Sequence, residues 1–206
     1  MTYYLFFMSL KIGIFVLAYI LGSIPTAAWY AKYFHNIDIT KHGSGNSGAT
    51  NSMRVLGKKA GIIVLIIDVL KGFLLVFLFN LYFEESIQAF LLGIVAILGH
   101  IFSIFLRFKG GKGIATSLGV ILAVFPFGAL ISLAIFIFVV WITKYVSVAS
   151  LSAALCFALL LSIQYPENTP LLFLGWALFV LLSFTHRTNI KKLIAGEENK
   201  FSRNKK

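Results

Sequence analysis

Three short polar segments hold the residue types that could handle an anion, and each lies against apolar sequence. The segment Phe108-Lys109-Gly110-Gly111-Lys112-Gly113 places three glycines within four residues beside two lysines. Glycine lets backbone N–H groups turn toward one point without Cβ obstruction, and lysine adds charge there, so the stretch suits a phosphate-type oxyanion. A second segment, Gly43-Ser44-Gly45-Asn46-Ser47-Gly48-Ala49-Thr50-Asn51, is a run of small polar groups leading to Arg54. The planar guanidinium of Arg54 can clamp a phosphate through two parallel bonds, where Lys112 acts as a point charge. The third is Thr185-His186-Arg187-Thr188-Asn189-Ile190. There His186 and Asn189 are three residues apart and share a face if the helix continues.

More specific signatures fail on context. Residues 43–48 fit G-x-G-x-x-G, and Asp68 lies 20 residues past Gly48, yet no strand precedes the glycines and Asp68 falls within an apolar run. Gly111-Lys112 is followed by Gly113 rather than Ser or Thr, and Leu106 stands where a Walker loop needs glycine. The histidines His35, His42 and His100 are scattered, and no His/Asp/Glu set has metal-ligand spacing. A Ser–His–Asp triad can be assembled only by free choice among residues. Cys156 is the one cysteine and lies in an apolar run, which excludes a disulfide framework or zinc cluster. No metal and no cofactor is therefore expected. His100 reads as a helix-packing polar residue, and the turn from Lys144-Tyr145 to Ser150 could add hydroxyls to a site.

The elements that must position these segments are membrane spans. Of 206 residues, 59% are hydrophobic and 12% charged, and mean hydropathy is +0.92; a soluble domain carries about a quarter charged residues. The expected class is an all-α polytopic integral membrane protein, a single membrane domain over 1–206. Its spans are read at 12–33, 60–83, 87–106, 147–164 and 171–185, with 114–143 divided at Pro126 into two short helices. That makes seven transmembrane helices, given as five if 114–143 is counted once. The motif segments are 41–58, 107–116 and 185–198. The N-terminal run lacks a basic region ahead of its first apolar residues and a small-residue cleavage site, and reads as a retained span. Asn199 to Lys206 reads as a frayed basic end.

Charge orients the chain. Arg54, Lys112, Lys144 and the tail from Arg187 fall on one face, while the opposite loops hold Glu84, Glu85 and Glu167. The basic face is cytoplasmic and the N-terminus outside, with Lys11 the exception. The net charge of +11 then reports topology and anionic lipid rather than nucleic acid. Within the second span, Asp68 and Lys71 are three residues apart and read as a structural ion pair facing the bundle, with a proton path as the alternative.

Taken together, the three motifs, the second continuing as Ile114-Ala115-Thr116, resemble in order and spacing those of the bacterial acyl-phosphate:glycerol-3-phosphate acyltransferases, the PlsY family. The resemblance covers nearly the whole chain. It implies seven spans in the bacterial cytoplasmic (inner) membrane with the active site on the cytoplasmic face. The implied reaction moves a fatty acyl group from acyl phosphate to the 1-hydroxyl of glycerol 3-phosphate, giving lysophosphatidate for phospholipid synthesis without an acyl-enzyme. Its partners are these two substrates, the bilayer, and an enzyme supplying acyl phosphate. The family pattern implies phosphate binding by Ser44, Arg54 and Lys112, and orientation of glycerol 3-phosphate by His186 and Asn189. It implies a phosphate loop lined by Gly110, Gly111 and Gly113, with Asn46 and Ser150 as further binding groups. Ser103 departs from the family, which usually has proline there, and puts the local bend of the third span in question. An organic-anion transporter and an acyltransferase using acyl carrier protein or acyl-CoA are the other readings. The first needs polar groups at mid-membrane, and the second often carries a His-x₄-Asp pair that this sequence lacks.

Overall fold

A computed structural model describes the backbone of residues 2–201 and the side chains of residues 7–201. Among the described residues all regular structure is helical, since a helix satisfies its own backbone where lipid offers no partner. The helices are α1 (Thr2–Gly22), α2 (Thr26–His35), α3 (Ala49–Leu56), α4 (Lys58–Phe83), α5 (Ser86–Ile101), α6 (Ile114–Val124), α7 (Pro126–Thr143), α8 (Val146–Gln164), α9 (Thr169–Thr185) and α10 (Arg187–Ile194), with 3₁₀ turns at Ile39–Lys41 and Ile104–Leu106. They form two compact units, Met1–Val124 and Phe125–Lys206.

In the first unit α4 is central and contacts α1, α2, α3, α5 and α6. Lipid-facing helices gain little from hydrophobic burial against one another, so close packing depends on small residues. A Cβ at Gly72 would lie 2.3 Å from Thr116 O, and one at Gly119 would lie 2.0 Å from Val69 O, which sets the α4–α6 approach. Gly22 and Gly99 do the same for α1 and α5, against Ala96 O and Tyr19 O. At the far end Lys11 donates to Glu85 Oε1 at 2.8 Å and to Gln88 Oε1 at 3.2 Å. The basic residue that broke the charge pattern is thus paired with an acid.

Three expected boundaries need correction. The span expected over 12–33 is two helices, α1 and α2, bent by 43° across Ser23-Ile24-Pro25. Pro25 cannot donate a helical N–H and pushes Ile24 out of the helical region. The span expected over 87–106 stops as an α-helix at Ile101, and Ser103 leads into the 3₁₀ turn with φ −62° and ψ 122°. That φ is one that proline would also adopt. Finally, counting 114–143 once leaves six spans rather than five. The segment divides as expected, with Pro126 at the start of α7.

Among the described residues, four helices are long and apolar enough to cross a membrane, or up to six if each bent pair is one span, with Ile114–Val124 shorter. In the second unit α8 packs on both α7 and α9. The expected α8–α9 hairpin forms around Pro166-Glu167-Asn168, and Asn168 caps α9 by accepting from Leu171 N–H at 3.2 Å. Trp176 Nε1 donates to Ser162 Oγ at 3.1 Å across the same pair. Phe201 N–H donates to Lys144 O at 2.6 Å. Residues 202–206 lie outside the described residues.

Candidate active site

The Gly43–Asn51 segment is organised from within. Gly43 and Gly45 both have positive φ, +63° and +73°, which lets the chain reverse twice in three residues. The reversal wraps around Asn51, which is 2% exposed. Its Oδ1 accepts from Ser44 N–H at 2.8 Å, and its Nδ2 donates to His42 O at 3.0 Å and Ile39 O at 3.3 Å. Asn51 therefore faces inward and shapes the loop rather than presenting a recognition surface. Ser44 is left exposed on the outside of the turn, Asn46 is half-buried, and Arg54 is exposed on the last turn of α3. Ser47 Oγ is buried without a hydrogen-bond partner. At the entry to the turn, the hydroxyl and N–H of Thr40 both donate to Asp38, which holds that exposed carboxyl below the ordinary carboxylate range.

The glycine-lysine loop docks on the end of α5. Its N–H groups run in series to α5 and the turn after it: Phe108 to Ser103 O at 2.7 Å, Lys109 to Leu106 O at 3.1 Å, Gly110 to Ile101 O at 2.8 Å, Gly111 to His100 O at 3.1 Å. Two of the three glycine amides expected to face an anion are thus spent on carbonyls, and Gly110 and Gly111 serve close approach instead. Gly113 has φ +88° and leads into α6. Lys112 is half-buried at this junction, beside the N-terminal end of α6, where the helix dipole favours an anion. Arg107 and Phe108 are consecutive non-glycine residues at φ 52° and 63°. Such conformations cost about 1–2 kcal/mol each and cluster where a loop must hold a particular shape.

Behind the loop lies the expected intramembrane pair, with more members than the sequence suggested. Lys71 Nζ is 2.8 Å from Asp68 Oδ1 and 2.8 Å from His100 Nδ1, and it donates to Ile24 O at 3.0 Å. Asp68 also accepts from Thr26 Oγ1 at 2.8 Å. The carbonyl of Ile24 at the α1–α2 break, which also accepts from Thr26 N–H at 3.1 Å, and the α5 histidine complete a network that spacing along α4 could show only in part.

In the second unit His186 is 2% exposed at the α9–α10 bend, where the two helices meet at 59°. Its Nδ1 lies 2.8 Å from Leu182 O. A carbonyl can only accept, so Nδ1 carries the proton and Nε2 is the acceptor of the neutral ring. Asn189 Nδ2 donates to Glu198 Oε1 at 2.7 Å, and Ser147 Oγ donates to the same oxygen at 3.1 Å. Glu198 therefore fixes Asn189 against the start of α8. Sequence reasoning missed this residue, whose only signal is a carboxylate inside a basic tail. Ser150 is 3% exposed and its hydroxyl donates back to Val146 O at 2.8 Å, which leaves its oxygen as an acceptor.

A family described as glycerol-3-phosphate acyltransferase matches residues 12–196. The glycerol-3-phosphate acyltransferase of Fusobacterium nucleatum subsp. nucleatum is 48% identical over 189 residues, covering 90% of this chain and 95% of the relative. That of Staphylococcus carnosus is 45% identical over 193 residues, covering 90% and 95%. Among solved structures, the glycerol 3-phosphate form of PlsY (YgiH), an integral membrane glycerol 3-phosphate acyltransferase, aligns with TM-score 0.88 at 37% identity, covering 93% of this chain and 96% of that one. Its lysophosphatidic acid form aligns with TM-score 0.86, also at 37% identity, covering 93% and 95%. An all-helical, multi-pass chain matched at this level over nearly its whole length belongs to the PlsY family of integral membrane glycerol-3-phosphate acyltransferases.

Proposed function

We propose that this acyltransferase uses acyl phosphate as its donor and transfers the acyl group directly to the 1-hydroxyl of glycerol 3-phosphate. The hydroxyl oxygen attacks the acyl carbonyl carbon, the bond from that carbon to the phosphate oxygen breaks, and inorganic phosphate leaves with the electron pair. The hydroxyl proton passes to the departing phosphate, and the product is lysophosphatidate. Acyl phosphate is already an activated anhydride, so the protein's work is to bring two anions together and offset their repulsion. Arg54, Lys112 and Ser44 bind phosphate in this reading, assisted by Asn46, Gly113 and the first turn of α6. His186 offers Nε2 as an acceptor to a glycerol hydroxyl, with Asn189 held beside it by Glu198, and Ser150 adds a further acceptor.

The observation that carries the reading is the pair of solved neighbours, 37% identical to this chain, which hold the acceptor substrate and the acylated product. The reading places α6 as a seventh crossing, the N-terminus outside, and all three motifs on the cytoplasmic face of a bacterial inner membrane. It is supported by the basic residues of those segments and by the acids of the opposite loops. The test supplies purified protein with labelled glycerol 3-phosphate and, in turn, acyl phosphate, acyl-CoA and acyl carrier protein donors. Product from acyl phosphate alone is expected. Equal product from either thioester refutes the donor assignment, and vesicle uptake of label without acylation would favour transport.

A further inference from the structure

His100 is the member of the buried network that touches the glycine loop. Asp68, Lys71 and His100 are 1%, 9% and 7% exposed, and they come from α4 and the end of α5. The ammonium of Lys71 only donates, so His100 Nδ1 accepts from it and the ring's proton sits on Nε2. That edge of the ring lies against Gly111: a Cβ there would be 2.2 Å from Nε2, 3.0 Å from Cε1 and 3.1 Å from Cδ2. At Gly110 the obstacle differs, because a Cβ would sit 2.0 Å from the backbone oxygen of His100. Lys71 in turn is anchored by Ile24 O at the α1–α2 break, and Thr26 from α2 bonds Asp68. The ring is therefore held from one side by α4, itself tied to α2 and to the α1–α2 break, and bears on the loop with the other.

We propose that Asp68, Lys71 and His100 form a positioning network for acyl transfer, in which the imidazole sets the height of the 107–113 loop and so places Lys112. The argument uses the acyltransferase activity and the assignment of Lys112 to phosphate. The network touches no substrate. Its function is to convert the break in the first span into a fixed platform beneath the loop.

The two neighbouring glycines supply the test. Gly111→Ala should lower kcat/KM for glycerol 3-phosphate about 100-fold, the scale expected of a displacement near 1 Å. Adding His100→Ala should recover at least 10-fold, because all three nearest obstacles are ring atoms. Gly110→Ala should be equally damaging and should not recover, since every residue at position 100 keeps its carbonyl. A second comparison covers the case in which removing the ring unfolds the protein. Asp68→Asn/Lys71→Gln keeps donors and acceptors, whereas Asp68→Asn/Lys71→Leu removes the donor to Nδ1. The leucine variant should show the higher KM, by about 10-fold, with the smaller change in kcat. The thermal shift produced by glycerol 3-phosphate follows the same order without requiring turnover. Rescue of both glycine variants, rescue of neither, or equal KM in the two neutral pairs overturns the network's role. A wild-type enzyme that acylates from no donor would instead count against the proposed function.

Discussion

Replacing Asn51 tests whether the first motif is shaped from inside. The side chain makes three bonds to its own loop, at 2.8, 3.0 and 3.3 Å. Ser44 and His42 are exposed, so water can replace the amide there, and each lost bond costs about 0.5–1.5 kcal/mol. Ile39 is fully buried, but its carbonyl keeps His42 N–H at 3.3 Å, so the loss there is also one bond of about 0.5–1.5 kcal/mol. Asn51→Ala should therefore destabilise the enzyme by about 1.5–4.5 kcal/mol, the sum over three such bonds. Asn51→Asp is the sharper variant. It retains an acceptor for Ser44 N–H but turns a second oxygen toward two carbonyl oxygens, so it should be at least as damaging as alanine despite its near-identical shape. Thermal unfolding of the purified protein in detergent gives the ordering, and KM for glycerol 3-phosphate gives its effect on the site. An aspartate variant with wild-type stability and KM would refute the claim that the amide nitrogen holds the loop.

Other outcomes follow from the same geometry. Lys112→Ala or Arg54→Ala should abolish acyl transfer while the protein still inserts, read by activity beside membrane yield; a full-rate Lys112→Ala enzyme removes the phosphate-loop assignment. Glu198→Ala should lower kcat/KM at least about 10-fold through the released Asn189, because a hydrogen bond to a charged group contributes about 1.5–3 kcal/mol. Glu198→Gln keeps an acceptor oxygen and should fall less, so equal losses would show that Glu198 acts by charge alone. Ser103 Oγ donates to Ser23 O at 2.5 Å in a buried setting. Ser103→Ala should cost about 1–3 kcal/mol through the orphaned carbonyl. Ser103→Pro loses the same bond but stiffens a compatible φ, which returns about 0.4–1 kcal/mol. Melting temperatures should therefore rank serine, proline, alanine, and any other order contradicts the bond's role.

The sequence made the three polar segments legible because lysine and arginine are rare inside apolar spans, and two of the segments add closely spaced glycines to them. It also made the Asp68–Lys71 pair legible, since residues three apart on a helix meet whatever surrounds them. What it hid came from other elements. His100, Thr26 and the carbonyl of Ile24 join that pair only through helix packing. Asn51 ends a run of small polar residues, and nothing local in the sequence shows that it points inward. Pro25 stood in plain view, yet apolar sequence continues on both sides of it, and hydropathy alone joined α1 to α2. Glu198 lies nine residues from Asn189, a distance that a bend and a returning tail close.

The docking of the loop on α5 has an electrostatic side. The last turn of a helix carries roughly half a negative charge on its open carbonyls, enough to repel a phosphate brought near it. Here the carbonyls of His100 and Ile101 are covered by the amides of Gly111 and Gly110. Backbone that was expected to attract an anion instead caps the negative end of a helix, so the loop turns no open carbonyl of His100 or Ile101 toward its own lysines.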